Sequence, residues 1–348
     1  MTTGFTTLPV EDAFQITGTR QRVLVVGYGS GCGGDVYEAM IAESLATHFD
    51  VRLRNMAASQ SIPRWLRGPV TYGKLARSLS GRGSCDIAVK TFNAALFKSH
   101  MPKRSIVVVH HLGAPNGIIY AAIERQIMKQ LSDVGAIVVV SDYWNQRLLQ
   151  LGFRNVHKIY NGFRTEEFVF QPEEIDMFKR RWGLLGKPIL YLGNWQKHKG
   201  SCEAFEALQA LDVHFVASGH TGSHGRLRCM FLDRREYLCL LKASTVVITM
   251  SQFEEGWCRT AHESMLCGTP VVGSGKGGMK ELLWGGGQII CASFSGLSTA
   301  VELLLHNEKT RAQLIDTGSN YARRFTFGIF QKAWINLATD VLNRRLMN

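Results

Sequence analysis

The sequence lacks the features that mark membrane-spanning or metal-binding proteins. Its longest apolar runs, such as residues 106–109 and 136–140, are far shorter than the ~20 residues that a membrane span needs. The eight cysteines are scattered and no pair has C-x-x-C spacing, which argues against a zinc ribbon or a thioredoxin-like site. The HExxH and Asp-x-Asp patterns are also absent, so we expect no metal site.

Residues 1–14 do not have the pattern of a targeting signal. Residues 1–14 have neither a positively charged segment nor an apolar one, and we therefore expect no signal peptide. Cysteines in a chain of this length are expected to be reduced and mostly buried. These features predict a cytoplasmic protein, with peripheral attachment at the inner face of the membrane as an extension of that prediction.

The chain has fewer acidic than basic residues, and the imbalance is largest in one segment. The formal net charge is +12, and residues 51–104, here called the basic segment, contain eleven Lys and Arg residues but a single acid, Asp86. Such a local field attracts an anionic partner. The run 63–67 (PRWLR), followed by Tyr72, Leu75 and Leu79, mixes cations with apolar residues, which favours an anionic membrane surface; a solvated basic face is the alternative. No nucleic-acid-binding signature occurs, so nucleic acid is not expected as a partner.

Short β-branched runs alternate with amphipathic helical stretches along the chain, which predicts α/β architecture with parallel sheets. A chain of 348 residues favours two domains, and the alternation runs through two cycles, so we predict two doubly wound Rossmann-like domains. The predicted strands are 22–27, 51–53, 105–109, 136–140 and 156–160 in the first cycle, and 188–192, 213–217, 245–250 and 270–272 in the second. Ligands of such sheets bind at the carboxyl ends of the strands.

A glycine-rich loop follows the first predicted strand. Gly29, Gly31 and Gly34 satisfy the G-x-G-x-x-G pattern, in which glycines let the backbone approach a phosphate at a helix N-terminus. Arginines at 52 and 54 replace the usual acid after the second strand and are compatible with the 2′-phosphate of NADP. An NADP-dependent oxidoreductase is therefore one interpretation, and a loop that packs closely against another substrate is the other.

The richest pattern lies in the second cycle, over residues 253–272. Glu255 follows the 245–250 strand, and Glu263, eight residues later, falls on the next helix, so both carboxylates can project into one cleft. Carboxylates accept hydrogen bonds from sugar hydroxyls, and the Gly256 backbone and the helix N-terminus offer N–H donors to a diphosphate. Two solvated surface glutamates are the plain alternative.

This segment resembles the E-x7-E motif of retaining glycosyltransferases of family GT4 (group 1), which have the GT-B fold of two Rossmann-like domains around a cleft. Other motifs are similar and occur in the same order: the glycine-rich loop, His110 or His111 after a strand, Asn161-Gly162 at the domain border, Gly193 with Lys199-Gly200, and Gly268-Thr269-Pro270 followed by Gly277-Gly278 and Glu281. The resemblance covers roughly residues 20–340. It implies domains at 1–168 and 169–325, with a terminal helix, 326–348, that crosses back to the first domain.

The resemblance also implies a role for each matching residue. Glu255, His110, His111 and Lys199 would act on the transferred sugar and the donor phosphates. Glu263 would bind the ribose of the nucleotide. The remaining donor-binding positions are Gly256, Trp257, Cys258, Asn194, Lys197, Gly31, Gly33 and Gly34.

The implied activity is transfer of a hexose-type sugar, with retained configuration, from a UDP- or GDP-linked donor to a glycan or lipid-linked acceptor in the synthesis of a cell-surface polysaccharide or glycolipid. No cofactor and no metal are implied. One departure stands out: Asn194 occupies the place of an arginine that pairs with phosphate in the family, and Lys197 or Arg259 are the candidates to replace it. A glycosyltransferase-like subunit without catalytic activity is therefore a further alternative.

Overall fold

The computed structural model describes residues 20–27, 33–59, 61–80, 85–99, 101–113, 118–219 and 222–343. These residues form one parallel sheet and one mostly parallel sheet, with helices packed on both. The expected α/β architecture of two doubly wound units is confirmed.

The first sheet has six parallel strands in the order β2-β1-β3-β4-β5-β6. They are β1 (Arg22–Gly27), β2 (Asp50–Asn55), β3 (Ile87–Thr91), β4 (Ser105–Val109), β5 (Ala136–Val139) and β6 (Val156–Lys158). The helices associated with them are α1 (Gly33–Ala46), α2 (Arg64–Ser80), α3 (Ile118–Gln130) and α4 (Asp142–Gln150). Strands β3, β4 and β5 are buried along their whole length, as expected for a sheet covered on both faces.

The second sheet has seven strands in the order β13-β12-β11-β7-β8-β10-β9, all parallel to their neighbours except β9, which is antiparallel to β10. The strands are β7 (Ile189–Asn194), β8 (His214–Ser218), β9 (Gly222–His224), β10 (Leu227–Met230), β11 (Val246–Thr249), β12 (Val271–Gly273) and β13 (Ile289–Ile290). The helices are α5 (Pro172–Arg181), α6 (Ser201–Leu208), α7 (Arg234–Ala243), α8 (Arg259–Leu266), α9 (Met279–Gly285), α10 (Leu297–His306) and α11 (Glu308–Ala322).

The chain passes between the sheets twice, and the two passages lie side by side. The first is residues 161–168, here called the linker. Phe163 forms a parallel bridge with Thr326, its N–H donates to the Phe325 carbonyl at 2.9 Å, and its own carbonyl accepts from Phe327 at 2.9 Å. Helix α12 (Phe327–Asn343) then packs on α1, where the Tyr37 ring meets Phe330 and Trp334 edge-on at 5.1 and 6.2 Å. The boundaries at 168 and 325 stay predictions.

In the second sheet, the sequence pattern does not predict β9, β10, β13, α10 or α11. In the first sheet, it does not predict one central strand and one long helix. The strand is β3, in which Lys90 interrupts the apolar pattern; the lysine is nevertheless 3% exposed, and its ammonium donates to the Phe97 carbonyl at 3.2 Å. The helix is α2, which contains Gly68, Pro69 and Gly73, all poor helix formers. Its apolar side packs in the core, because Leu75 and Leu79 are buried with Leu24 and Val26.

Candidate functional site

The loop between β11 and α8 places Glu255 and Glu263 as the motif predicts. Both carboxylate residues are buried, with exposures of 6% and 3%. Glu255 lies in the loop, where it pairs with Gly277 in an isolated parallel bridge, and Glu263 lies on α8. The two carboxylates have different partners, and these partners define two neighbouring parts of the site.

Glu255 is held by a lysine and a serine. Its Oε1 accepts from the Lys199 ammonium at 2.6 Å and from the Ser251 hydroxyl. Lys199 also lies over the Phe253 ring, 5.0 Å from its centroid, and its side chain is about one-third exposed. The lysine is positioned by a tight turn, because the next residue, Gly200, has φ +70° and a Cβ there would lie 2.2 Å from the Met250 carbonyl oxygen. A cation therefore stands beside a buried carboxylate, with part of its surface open to a ligand.

The first sheet contributes two histidines, which directly follow β4. A Cβ on Gly256 would lie only 2.1 Å from the His110 carbonyl oxygen, so only glycine lets the Glu255 loop approach β4 this closely. Burial lowers the pKa of His110 to about 4, and no described residue pairs with its buried Nε2. Burial also lowers the pKa of His111, against the opposing effect of Glu255; the His111 ring packs edge-on to Phe253 at 5.4 Å. Both imidazoles are thus neutral at pH 7 and able to hydrogen-bond to sugar hydroxyls.

Further contacts join the two sheets around this loop. The Trp144 indole N–H, on α4, donates to the Glu255 carbonyl at 3.0 Å. Glu281, on α9, accepts from the backbone N–H of Asp142 at 2.8 Å, at the N-terminus of α4. The pKa of Glu281 is raised by burial and by the Asp142 carboxylate. The Glu255 loop is therefore fixed by both halves of the protein.

Glu263 is surrounded by arginines. Its Oε1 accepts from Arg234 Nη1 at 3.0 Å and from Arg259 Nη2 at 3.1 Å. Burial disfavours the charged Arg234 guanidinium, but Glu263 and Glu167 together raise its pKa above the ordinary value. Arg234, which follows β10 at the start of α7, was not among the predicted site residues. Strand β10 was not predicted either, and nothing in the local sequence pairs Arg234 with a residue 29 positions away.

The candidates to replace the missing arginine lie apart from one another. Asn194 ends β7, with its side chain against Gly219, where a Cβ would lie 2.5 Å from Nδ2. Lys197 is exposed, on the same turn as Lys199. Arg259 is held by Glu263 and by Asn161, whose Oδ1 accepts from Nη1 at 3.0 Å. Among the described residues, the cation bonded to Glu255 is therefore Lys199. Arg259 instead binds Glu263.

Two predicted donor-binding side chains are covered by the protein. Trp257 is 6% exposed, its indole N–H donates to His262 Nδ1 at 3.2 Å, and its ring packs on Tyr160 and Phe325. Cys258 precedes α8, and burial, with Glu255 adding to it, raises the pKa of its thiol to about 12. These two residues therefore present backbone atoms rather than side chains. No side chain caps the N-terminus of α8, which leaves its first N–H groups for a ligand.

The glycine-rich loop lies largely outside the described residues, and Gly29 and Gly31 with it. Gly33 and Gly34 are the first two residues of α1. Elsewhere in the second sheet, His214 begins β8, and His224 ends β9 with its ring stacked on Trp195 at 4.9 Å. Among the residues that the structure describes, no group of three or more His, Cys, Asp or Glu side chains is arranged to hold a metal ion.

The basic segment differs in part from the expected membrane-facing surface. Leu75 and Leu79 point into the core, and Lys90 is buried, so these three residues do not belong to the surface. Trp65, at the start of α2, is 77% exposed, and Arg52, on the edge strand β2, is exposed as well. The single acid, Asp86, is paired with Arg22 at 3.5 Å. In the described parts of the chain, no helix is both long enough and apolar enough to cross a bilayer.

The part of the chain that contains both glutamates is similar to a known family. Residues 173–321, which include β7 to β13 and both glutamates, match the family model of glycosyl transferases group 1. The match spans a little under half of the chain, and this part is similar to group 1 glycosyltransferases. The predicted enzyme class, a glycosyltransferase, is thereby confirmed. A search of curated proteins gave no match.

Solved glycosyltransferases share the whole fold. The structure of HepE from Anabaena in complex with UDP-glucose superposes with a TM-score of 0.76 at 16% identity, covering 92% of this chain and 100% of that one. Sucrose-phosphate synthase from Thermosynechococcus elongatus gives 0.73 at 16% identity, covering 94% and 99%. WaaG, a glycosyltransferase involved in lipopolysaccharide biosynthesis, gives 0.69 at 14% identity, covering 92% and 99%. The predicted GT-B fold is confirmed.

Proposed function

We propose that this glycosyltransferase is a retaining enzyme of the GT4 type that transfers a hexose-type sugar from a UDP- or GDP-linked donor. One observation carries the proposal: buried Glu255 is ion-paired to Lys199 at 2.6 Å, within a loop that packs directly on the His110 backbone of the other sheet. The hydroxyls of a sugar nucleotide can hydrogen-bond to carboxylates and imidazoles, and its diphosphate can pair with a cation. Glu255, the two histidines after β4 and Lys199 supply these partners around this loop.

Each group then has a task in the transfer. Glu255 and the neutral histidines hydrogen-bond to the hydroxyls of the transferred sugar. Lys199 and the uncapped N-terminus of α8 stabilise the negative charge that develops on the diphosphate as the glycosidic bond breaks. Glu263 accepts from the ribose hydroxyls and holds the nucleotide.

UDP is the donor nucleotide we favour, because the similar structures include complexes of HepE with UDP and with UDP-glucose. A thermal-shift series with UDP, GDP, ADP, their sugar conjugates and NADPH tests this choice, since a ligand that binds only the folded state raises its stability. We expect stabilisation by UDP or GDP and more by one of their sugars. Stabilisation by NADPH alone would refute the proposal, and a wild type that binds a donor without turnover would favour the subunit that lacks catalytic activity.

Lys199, rather than a bound metal, supplies the positive charge at the diphosphate in this proposal. Transfer should therefore continue at an unchanged rate in excess chelator. Loss of activity in chelator, with recovery on adding Mg²⁺ or Mn²⁺, would show that the lysine is not sufficient.

The acceptor we propose is an anionic or lipid-linked saccharide, in the synthesis of a cell-surface polysaccharide or glycolipid at the inner face of the membrane. The exposed cations of the basic segment and the exposed Trp65 support this assignment. Trp65→Ser should weaken sedimentation with anionic vesicles at low salt, whereas Trp284→Ser should not, although Trp284 is equally exposed at 78%. Binding that is insensitive to salt and to Trp65→Ser would remove the membrane from the proposal.

A further inference from the structure

The two arginines that bind Glu263 have a second set of partners. Arg259 donates from Nη2 to Glu263 and from Nη1 to Asn161, and its guanidinium lies 4.6 Å above the Phe163 ring. Arg234 donates from Nη1 to Glu263 and from Nη2 to Glu167 at 2.9 Å. Asn161, Phe163 and Glu167 all belong to the linker. Both arginines therefore bridge Glu263 to the linker that joins the two sheets.

The bridges between Glu263 and the linker are largely shielded from water. The Glu263 side chain is 4% exposed, and that of Arg259 is 14% exposed. Charged hydrogen bonds away from water are strong, and moving one member leaves another buried charge without its partner. Both arginine bonds fall on the same oxygen, Oε1, so a change in the carboxylate's orientation acts on both at once.

We propose that Arg234 and Arg259 are positioning residues that couple occupancy of the nucleotide subsite at Glu263 to the conformation of the linker. The proposal rests on the assignment of Glu263 to the ribose. Hydroxyls that donate to Glu263 compete with the arginines for its lone pairs and change how firmly each arginine holds Asn161 and Glu167. Because such coupling is reciprocal, a change in the linker also changes nucleotide affinity.

The chain offers a matched pair of variants for the test. Glu167→Gln weakens the bridge at the linker and leaves Glu263 intact. Asp212→Asn is the control, because Asp212 is a carboxylate whose charged partners, Lys187 at 2.5 Å and Arg226 at 3.8 Å, belong neither to the linker nor to the surroundings of Glu263. We expect Glu167→Gln to change the Kd for UDP by about fivefold or more. Asp212→Asn should leave it unchanged within about twofold.

The readout separates coupling from a general loss of structure. The donor KM should shift with the Kd, whereas the rate at saturating donor should stay near that of the wild type. Equal changes in the two variants, or none in Glu167→Gln, would overturn the proposal. Failure of the wild type to bind UDP, GDP or ADP would count against the proposed donor instead.

A second measurement needs no nucleotide. Arg259→Lys keeps the charge but has one nitrogen in place of the guanidinium fork, so it cannot bridge Glu263 and Asn161 in the same geometry. Hydrogen exchange of the linker amides should be faster in Arg259→Lys and in Glu263→Gln than in the wild type. Exchange should be unchanged in Asp212→Asn. Unaltered linker protection in both site variants would overturn the coupling even if no nucleotide is found to bind.

Discussion

Glu255 and Glu263 belong to one motif and are both buried, yet the protein holds them in different ways. Glu255 is bonded to a serine and to a lysine whose side chain is about one-third exposed, and its loop packs on the His110 backbone of the other sheet. Glu263 is enclosed by two arginines that are themselves fixed to the linker. The first arrangement leaves partners free to exchange for a substrate, and the second ties the carboxylate to the framework. We therefore expect turnover to depend most on Glu255, and nucleotide binding and stability to depend most on Glu263.

The largest effect should come from Glu255→Gln, which keeps the shape but removes the charge beside Lys199. We expect turnover to fall roughly 100- to 1000-fold, the range for loss of one group that stabilises a transition state. The melting temperature and UDP affinity should change little. A donor-turnover assay beside thermal unfolding measures both, and a variant that keeps its activity would remove Glu255 from the reaction.

Lys199→Met should come next, with a fall in turnover of roughly 100-fold, because the diphosphate loses its cation. The substitution also leaves Glu255 without its ion pair. Lys197→Met is the matched control, since Lys197 is an exposed lysine on the same turn. Similar losses in both variants would show that general positive charge, rather than the lysine bonded to Glu255, is responsible.

Glu263→Gln should act on stability and on nucleotide binding. It leaves two arginines with a weaker partner, and we expect a cost of roughly 2 kcal/mol, below the value for a fully buried pair because Arg234 is partly exposed. We also expect the KM for the donor to increase. Urea unfolding and donor titration check both. Unchanged stability would mean that the linker bonds alone hold the arginines.

A further effect, on stability alone, should appear as the pH is lowered. His110 and His262 have pKa values lowered by burial to about 4 and about 3, below the ordinary value of an unfolded chain. The unfolded state therefore binds more protons, so the free energy of unfolding falls as the pH drops below about 6.5. We expect each histidine to remove about 2 kcal/mol between pH 7 and pH 5. His110→Asn should flatten this slope in urea unfolding; an unchanged slope would contradict the assigned burial effect.

Local patterns were enough to predict most of the fold and the two glutamates. Strands such as β4 and β5 are continuous apolar runs, and the spacing of Glu255 and Glu263 is a local property of one loop and one helix. Strand β3 was missed because Lys90 breaks its apolar run, and this lysine is tolerated only through a tertiary hydrogen bond to Phe97.

Other features of the site depend on contacts that the sequence does not display. Arg234 reaches Glu263 from another helix, and Arg259 reaches Asn161 over 98 positions, so neither pairing has a local signature. Trp257 was expected at the donor, but its ring fills an aromatic cluster with Tyr160 and Phe325. Distant contacts of this kind decide which side chains of a motif remain available to a ligand.

The most direct test of the account is calorimetric titration of UDP into the wild type, Glu255→Gln and Glu263→Gln. If Glu255 serves the transferred sugar and Glu263 the nucleotide, UDP should bind Glu255→Gln as tightly as the wild type and Glu263→Gln much more weakly. Equal weakening in both variants, or unimpaired binding to Glu263→Gln, would contradict the division of roles between the two carboxylates.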